Sequence, residues 1–373
     1  MAQACDVRCE GSDGVKALIT AGGRGTRLRP LTHTSNKHLI PIANKPMIHY
    51  AIEAVVAAGI QEVGIVINPA TGEEICQALG DGRRWGARFT YIVQETPLGL
   101  AHVVKVAQDF LAGEPFLFYL GDNLIVGGIA RFLEQFERDR PNCLLVLAKV
   151  KDPQRFGVPA IRDGVILQVE EKPQHPKSPY AVTGIYLYDG CIIEAVQGIA
   201  PSARGELEIS DAHQYLIEHG YQVAWTEITG WWKDTGKPED LLEANRFALD
   251  SLFDAHVPLI QGEVDQHSDI AGKVIIAEGV KIRQSEIRGP AIIGQGTVIE
   301  QSYIGPFTSI ADNCEIRNSE VEHSILLERV RIADARIRIE KSLLGRDVAI
   351  MGGTSRPRTQ KFIVGDQSRI ELA

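Results

Sequence analysis

The sequence predicts two folds in tandem: an α/β domain built on a mostly parallel, Rossmann-like sheet, followed by a parallel β-helix. Three observations predict this. Short apolar runs alternate with segments of helical period from Lys16 to about Asp250. Several of those runs end at glycine-containing turns. Beyond Asp250 an aliphatic residue recurs about every six positions, a period that suits neither a helix nor a simple strand. The boundaries that follow are a flexible extension over 1–15, a first domain over 16–250 and a hexapeptide-repeat β-helix over 251–373.

The first domain begins with Lys16–Thr20 (KALIT), a buried-strand pattern running into Ala21-Gly22-Gly23-Arg24-Gly25-Thr26-Arg27-Leu28. Pro46–Ala58 carries apolar residues at helical spacing and stops at Gly59, a suitable C-cap. Val63–Ile67 and Phe89–Val93 read as strands, and Gly99–Leu111 as a helix. Phe116–Leu120 (FLFYL) is a strand ending at Gly121-Asp122-Asn123, and Cys143–Val150 is another. This order implies helices on both faces of the sheet, with ligands gathering at the C-terminal ends of the strands. Both the glycine-rich loop and Gly121-Asp122 fall at such ends.

The second domain is read from Ile270, Ile276, Ile282, Ile287, Ile293, Ile299, Ile304, Ile310, Ile316 and Val321. The step between them is mostly six and sometimes five. One inward aliphatic residue per face gives a triangular section, with roughly four to five coils before Ile350 at three hexads per coil. The pattern loosens after Glu328. A β-sandwich would not give ten near-regular aliphatic positions.

Bulk properties narrow the partners. The chain has 373 residues, 44% of them hydrophobic, and a net charge of −9, which argues against nucleic acid. Six cysteines with no CxxC pair suggest inert thiols rather than a disulfide framework. No apolar run approaches the ~20 residues of a membrane span, and the polar start lacks the apolar stretch of a secretory signal. The expectation is a cytoplasmic protein with no membrane partner.

In the glycine-rich loop, Gly22, Gly23 and Gly25 allow close backbone approach to phosphate oxygens, and Arg27 adds a fixed cationic fork. Alone, such a loop is equally a simple turn. It is neither a Walker loop nor a dinucleotide fingerprint.

Arg29-Pro30-Leu31-Thr32, Asn36-Lys37-His38-Leu39-Ile40-Pro41 and Asn44-Lys45-Pro46-Met47 follow in order. Together with the loop, they resemble the signature GGxGTRLxPLT…K…LxP…KPM of the sugar-1-phosphate nucleotidylyltransferases. The resemblance runs from Lys16 to about Asp250. Within that group the chain is most similar to the long-form glucose-1-phosphate thymidylyltransferases, which carry a C-terminal left-handed β-helix.

The resemblance implies a reaction: glucose-1-phosphate and dTTP give dTDP-glucose and pyrophosphate, assisted by Mg²⁺. It implies roles residue by residue. Gly22, Gly23, Gly25 and Thr26, with Gln94, Pro97 and Gly99 of the stretch Gln94–Ala101, would bind the nucleotide. Arg27 and Lys37 would serve the phosphates, and Lys172 the phosphate of the sugar. Gly157, Glu171, Val182, Gly184 and Trp232 would line the sugar pocket. Asp122 and Asp234 would hold the metal, as oxygen ligands suit Mg²⁺. Each lysine taken alone reads as a solvated charge, and each Asp beside Gly as a turn former. Arg204–Asp211 (RGELEISD) is a further landmark of the group. Two departures stand out: His38 occupies a position where the shorter enzymes usually carry Gln, and Arg24 replaces a small residue.

The chemistry fits this residue set. The attacking phosphate oxygen is already ionised, so no Ser/His/Asp arrangement is needed; the barrier is repulsion between anions. Three other readings remain: the same transfer from UTP, an acetyltransferase in the β-helix (which needs a base such as His267 or His323), and a non-catalytic subunit. The flat sides of a β-helix lead us to expect a homo-oligomer.

Overall fold

The computed structural model describes residues 14–33, 35–251 and 259–353. Nearly all of the expected extension 1–15, and everything after residue 353, lies outside the described residues. The chain forms two compact units. One contains the chain up to Arg24 together with Ile48–Asp234; the other contains Gly25–Met47 together with the chain from Thr235 onward.

In the first unit the expected alternation is present. In chain order, the elements that position the site are β1 (Lys16–Thr20), α1 (Met47–Ala57), β2 (Glu62–Ile67), β3 (Arg88–Val93), α2 (Leu100–Val106), β4 (Phe116–Leu120) and β5 (Asn123–Ile125). They continue with β6 (Cys143–Lys149), β7 (Gly157–Arg162), β8 (Val165–Glu171), β9 (Tyr180–Tyr188), α3 (Ile209–Glu218), β10 (Val223–Glu227) and β11 (Trp232–Asp234). The main sheet has seven strands in the order β10-β6-β9-β4-β1-β2-β3, and only β9 runs antiparallel to its neighbours. Leu18, Phe118, Leu145 and Tyr186 are buried in one continuous core, which is why these runs read as unbroken apolar strands.

Two helices are shorter than the periodicity predicts. Pro46 belongs to a two-residue strand, so α1 starts at Met47. The helix expected over Gly99–Leu111 breaks at Ala107 into α2 and a single turn, Gln108–Leu111.

Four parallel strands end at one edge of the sheet. Thr20 of β1 pairs with Val66 of β2 and with Leu120 of β4, and Ile67 pairs with Val93 of β3. The residues that follow these strands are therefore brought to a common edge: Gly22, Asn68, Gln94 and Gly121-Asp122.

The second unit contains α4 (Pro238–Ser251) and the repeat region. Three parallel sheets stack along the repeats, two with six rungs and one with five. This is a parallel β-helix, consistent with the left-handed form expected. Nine of the ten predicted inward residues are buried, from Ile276 to Val321; Ile270, on an early rung, is half-buried. The spacing has a geometric cause. In the first coils rungs repeat every 17 residues, as Val274 pairs with Ala291 and Ala291 with Thr308. The short step always falls at the same corner, where Gln284, Gln301 and Asn318 take left-handed backbone. At that corner the Ser285 hydroxyl accepts from Ser302 N at 3.1 Å, and the Ser302 hydroxyl from Ser319 N at 3.2 Å. Each serine thus satisfies a backbone donor of the next coil. The repeat also continues past Glu328, with Ile332 buried and Ile339, Leu344 and Ile350 packed against the same core.

The cysteines at 76, 143, 191 and 314 are free thiols. Burial pushes the thiols of Cys143 and Cys314 up, the latter to about 11, which agrees with an inert role. Cys5 and Cys9 lie outside the described residues.

Candidate active site

At the edge of the first unit, Ala21 N donates to Val66 O at 2.7 Å, and Asn68 Nδ2 donates to Gly22 O at 2.9 Å. Gly22 lies close on this backbone: a Cβ there would meet Ile67 C at 3.3 Å and Asn68 N at 3.4 Å. Gly23 is exposed. Gly121 N donates to both Thr20 O (3.1 Å) and Thr20 Oγ1 (3.3 Å), which fixes the turn that carries Asp122.

Asp122 and Asp234 are brought together by a ribbon. β11 pairs antiparallel with β5, and Asp234 stands opposite Asn123. Asn123, 3% exposed, donates from Nδ2 to Asp122 Oδ1 at 3.1 Å. Its Oδ1 accepts from Trp232 Nε1 at 2.8 Å and from Gly184 N at 3.3 Å. One buried amide therefore links Asp122 to two predicted sugar residues, and the same residue faces Asp234 across the ribbon. It also separates the two adjacent tryptophans: Trp232 makes this bond and meets Phe156 edge-on, with centroids 5.5 Å apart. Gly184 is required here, since a Cβ would come within 2.7 Å of the Asn123 amide.

The predicted sugar residues form a second group. Glu171 pairs with Gly157 across β7 and β8. Its Oε2 accepts from Ser210 Oγ at 2.7 Å, and Lys172 Nζ lies 3.3 Å from its Oε1. A Cβ at Gly157 would meet Ser210 Oγ at 2.6 Å and Val182 Cβ at 3.6 Å. Lys172 takes left-handed backbone, φ 47°, and its N donates to Phe156 O. The electrostatics tie the two groups together. Burial first, then the carboxylates of Glu171, Asp122 and Asp234, push the phenol of Tyr186 far above its ordinary value.

Gln94 is buried, and its amide is occupied. Nε2 lies 2.9 Å from His102 Nδ1 and 3.4 Å from Gly99 O. Burial and Lys105 lower the His102 pKa, so the neutral ring can accept that bond. Gly99 has φ 102° and lies on Leu207, whose O would be 2.4 Å from a Cβ. Pro97 is exposed. Leu207 N donates to Leu98 O at 2.7 Å, so this loop is strapped to the RGELEISD segment. In that segment Arg204 grips Glu208 Oε1 through Nη2 at 2.7 Å, and reaches Glu171 Oε1 at 3.5 Å.

Gly25, Thr26, Arg27 and Lys37 belong to the second unit. Gly25 has φ 60° and lies on Lys37, whose Cβ would be 2.9 Å from a Cβ at Gly25. Thr32 Oγ1 donates to Gly25 O at 2.7 Å. Thr26 and Arg27 are exposed on a single 3₁₀ turn. His38, the departure noted above, is 1% exposed, and its Nδ1 lies 2.8 Å from Asn36 Oδ1. That oxygen only accepts, so the ring carries its proton on Nδ1. In the β-helix, His323 stacks on Phe307 with centroids 5.1 Å apart, and His267 is exposed beside Gln266.

Sequence reasoning left out Asn123, Tyr186, Ser210 and His102. Asn123 and Ser210 lay within stretches that had been singled out, Gly121-Asp122-Asn123 and Arg204–Asp211, and His102 within the expected helix Gly99–Leu111, but none was given a role.

The chain matches the nucleotidyl transferase family over residues 16–251. A glucose-1-phosphate thymidylyltransferase of Streptomyces griseus is 48% identical over 360 residues, spanning 96% of this chain and 100% of that one. The low-salt glycan biosynthesis nucleotidyltransferase Agl11 of Haloferax volcanii is 41% identical over 362 residues, spanning 96% and 100%. Among solved structures, a Bacillus anthracis protein provisionally named a glucose-1-phosphate thymidylyltransferase, in complex with sucrose, superposes with a TM-score of 0.61 at 38% identity. It covers 65% of this chain and 98% of its own. A UDP-glucose pyrophosphorylase bound to UDP-glucose superposes with a TM-score of 0.57 at 25% identity, covering 63% and 98%.

Proposed function

Because the chain belongs to the nucleotidyl transferase family, we propose that it is a glucose-1-phosphate thymidylyltransferase: it transfers a thymidylyl group from dTTP to glucose-1-phosphate and releases pyrophosphate. The observation that carries this reading is the β5–β11 ribbon. It sets Asp234 opposite Asn123, beside Asp122, at the carboxyl edge of a parallel sheet.

A phosphate oxygen of glucose-1-phosphate attacks the α-phosphorus in line with the bridging oxygen to the β-phosphate. The new P–O bond forms as that bridging bond breaks, and pyrophosphate leaves with its electron pair. No proton has to be removed from the nucleophile, so the residues work by positioning and by charge. Arg27 and Lys37 neutralise the triphosphate and the departing pyrophosphate. Lys172, already oriented by Glu171, holds the phosphate of the sugar. Glu171 accepts from sugar hydroxyls, and Ser210 fixes its rotamer. Gly157, Val182, Gly184 and Trp232 shape the floor of the sugar site. The glycines at 22, 23 and 25, with Thr26, receive the phosphates. Gln94, with Pro97 and Gly99, receives the base; its amide exchanges the His102 bond for the base edge.

The donor set of Asp122 and Asp234, two carboxylates brought to neighbouring positions by the β5–β11 ribbon, would suit a hard divalent cation. Mg²⁺ held there supplies charge neutralisation to the phosphates. We assign 16–250 to catalysis and 251–373 to the β-helix, whose flat faces serve homo-oligomer assembly in the cytoplasm. Among the described residues, no helix is long and apolar enough to cross a membrane.

A pyrophosphate-release assay tests this reading over dTTP, UTP, CTP and GTP against glucose-1-phosphate and other sugar phosphates. The highest kcat/KM is expected for dTTP with glucose-1-phosphate. A larger value with UTP reassigns the nucleotide, and no release with either rejects the reaction. Removing the chain after residue 255 and measuring mass in solution tests the assembly role; an unchanged mass rejects it.

A further inference from the structure

The β-helix makes a set of contacts within its own unit that assembly does not require. Pro41–Ile42 pairs with Lys45–Pro46 in a hairpin whose two turn residues, Ala43 and Asn44, have φ 48° and 58°. Left-handed backbone at alanine is unfavourable and persists only where surrounding structure holds it. Two amides do so. Asn245 of α4, fully buried, accepts at Oδ1 from Ala43 N at 2.8 Å and from Ser309 Oγ at 2.7 Å, and donates from Nδ2 to Phe307 O at 3.2 Å. Asn44 Nδ2 donates to Ile310 O at 2.7 Å. Ser309 and Ile310 lie on the rung Thr308–Ile310.

The same segment is held again at its other end. Arg346 Nη1 donates to Ser35 Oγ at 2.9 Å, while its Nε is bonded to Glu328 Oε2 at 2.8 Å. Beside it, Leu31 Cδ2 would lie 3.3 Å from a Cβ at Gly345. Lys37 lies between these two anchorages in the sequence. Gly25 packs on Lys37 and is bonded to Thr32, so the turn that carries Arg27 is fixed to the anchored segment.

We propose that the β-helix orders the phosphate-handling segment of its own chain, with Asn245 as a positioning residue that acts through residues 35–44. The proposal rests on reading Arg27 and Lys37 as phosphate-neutralising side chains. It assigns the repeat domain a part in each active site, separate from any part in assembly. A polar residue with no exposed surface, using both ends of its amide on three groups of two different segments, is a precise bracket, and a hydrophobic replacement strands all three partners.

The test uses the full-length chain and two readouts. Hydrogen exchange follows the amides of residues 35–46, a measurement that needs no activity. Steady-state pyrophosphate release gives kcat and KM. In Asn245→Ala, exchange over 35–46 should accelerate at least tenfold and kcat should fall at least tenfold, with the KM for glucose-1-phosphate within twofold. Asn44→Ala and the surface change Arg346→Ala should each give a milder version, threefold or more, without unfolding. Asn245→Asp, which keeps both accepted bonds, should recover part of the loss. In a Lys37→Ala background, Asn245→Ala should lower kcat less than twofold. Unchanged exchange in both Asn44→Ala and Arg346→Ala overturns the proposal, and so does an undiminished Asn245 effect in the Lys37→Ala background. An inactive wild type would sink the functional reading, and the exchange data would still decide whether the β-helix orders the segment.

Discussion

The guanidinium of Arg27 packs against Gly236, so closely that a Cβ at that glycine would lie 3.2 Å from Nη2 and 3.3 Å from Cζ. Both residues lie in the unit that contains the β-helix. Gly236 follows Asp234 by two positions in the stretch Trp232-Lys233-Asp234-Thr235-Gly236. Its small size therefore preserves the place of a cation rather than a backbone conformation, as its φ is not left-handed.

Gly236→Ala should accordingly leave the fold intact and displace Arg27 by a few tenths of an ångström or into another rotamer. Misplaced catalytic groups commonly cost about ten- to hundredfold in rate. The expected result is a loss of that order in kcat with little change in thermal midpoint. Wild-type kcat in this variant would show that Arg27 does not work from this position.

Gly184 makes a different demand. A Cβ there would overlap the Asn123 amide at 2.7 Å and Leu120 Cβ at 2.8 Å, both in a packed interior. Gly184→Ala should destabilise the protein by about 1–3 kcal/mol, the usual cost of overpacking. It should also break the bond from Asn123 to Asp122, so activity should fall more than stability alone explains. Thermal melting and pyrophosphate release at a temperature well below the midpoint separate the two effects.

These glycines mark the boundary of what the sequence makes legible. Gly22 and Asp122 could be placed at one edge because parallel strands end there together, and their strands Lys16–Thr20 and Phe116–Leu120 are apolar runs; Gln94, after the more polar strand Arg88–Val93, was assigned only by resemblance. The inward positions of the β-helix were equally open to reading, since each coil repeats the same aliphatic step. The repeat faded after Glu328 for a local reason: the interval from Ile332 to Ile339 is seven, as the rung opposite Glu320–Glu322 is displaced by an insertion around Arg336. Asn123 and Asn245 were not legible. Their roles come from long-range bonds to Gly184, Trp232, Ala43 and Ser309, and no local spacing encodes such partners.

His213 gives a pH-dependent prediction. It is fully buried in α3, with Nε2 2.6 Å from Tyr188 Oη and no hydrogen-bond partner at Nδ1. Burial lowers its pKa to about 3 from 6.5. Above the unfolded pKa both states hold a neutral ring, and the stabilisation is complete. As pH falls below about 6.5, the unfolded chain takes up a proton that the folded chain refuses, and stability drops by about 1.4 kcal/mol per pH unit until the folded pKa is reached. His213→Gln, which keeps a polar partner for Tyr188, should flatten the fall in thermal midpoint between pH 7 and 5. Equal slopes in the two proteins would mean that His213 is not the group responsible.

The two aspartates provide the most direct chemical test. Asp122 is held by the Asn123 amide, and Asp234 by the pairing of β11 with β5. Substituting Asn for either one preserves shape and removes one negative charge. The ribbon does not depend on that charge, so circular dichroism and thermal midpoint should stay near wild type, or rise slightly as repulsion between neighbouring carboxylates is relieved. Turnover should respond in the opposite way, because a hard divalent cation loses one of two anionic ligands where negative charge is densest. Asp122→Asn and Asp234→Asn should each lower kcat by at least a hundredfold and raise the Mg²⁺ concentration needed for half-maximal rate. Glu171→Gln should instead raise the KM for glucose-1-phosphate at unchanged Mg²⁺ dependence, since its partners are Ser210 and Lys172. If either aspartate variant kept more than a tenth of wild-type turnover with the same Mg²⁺ requirement, the cation would have to be held elsewhere.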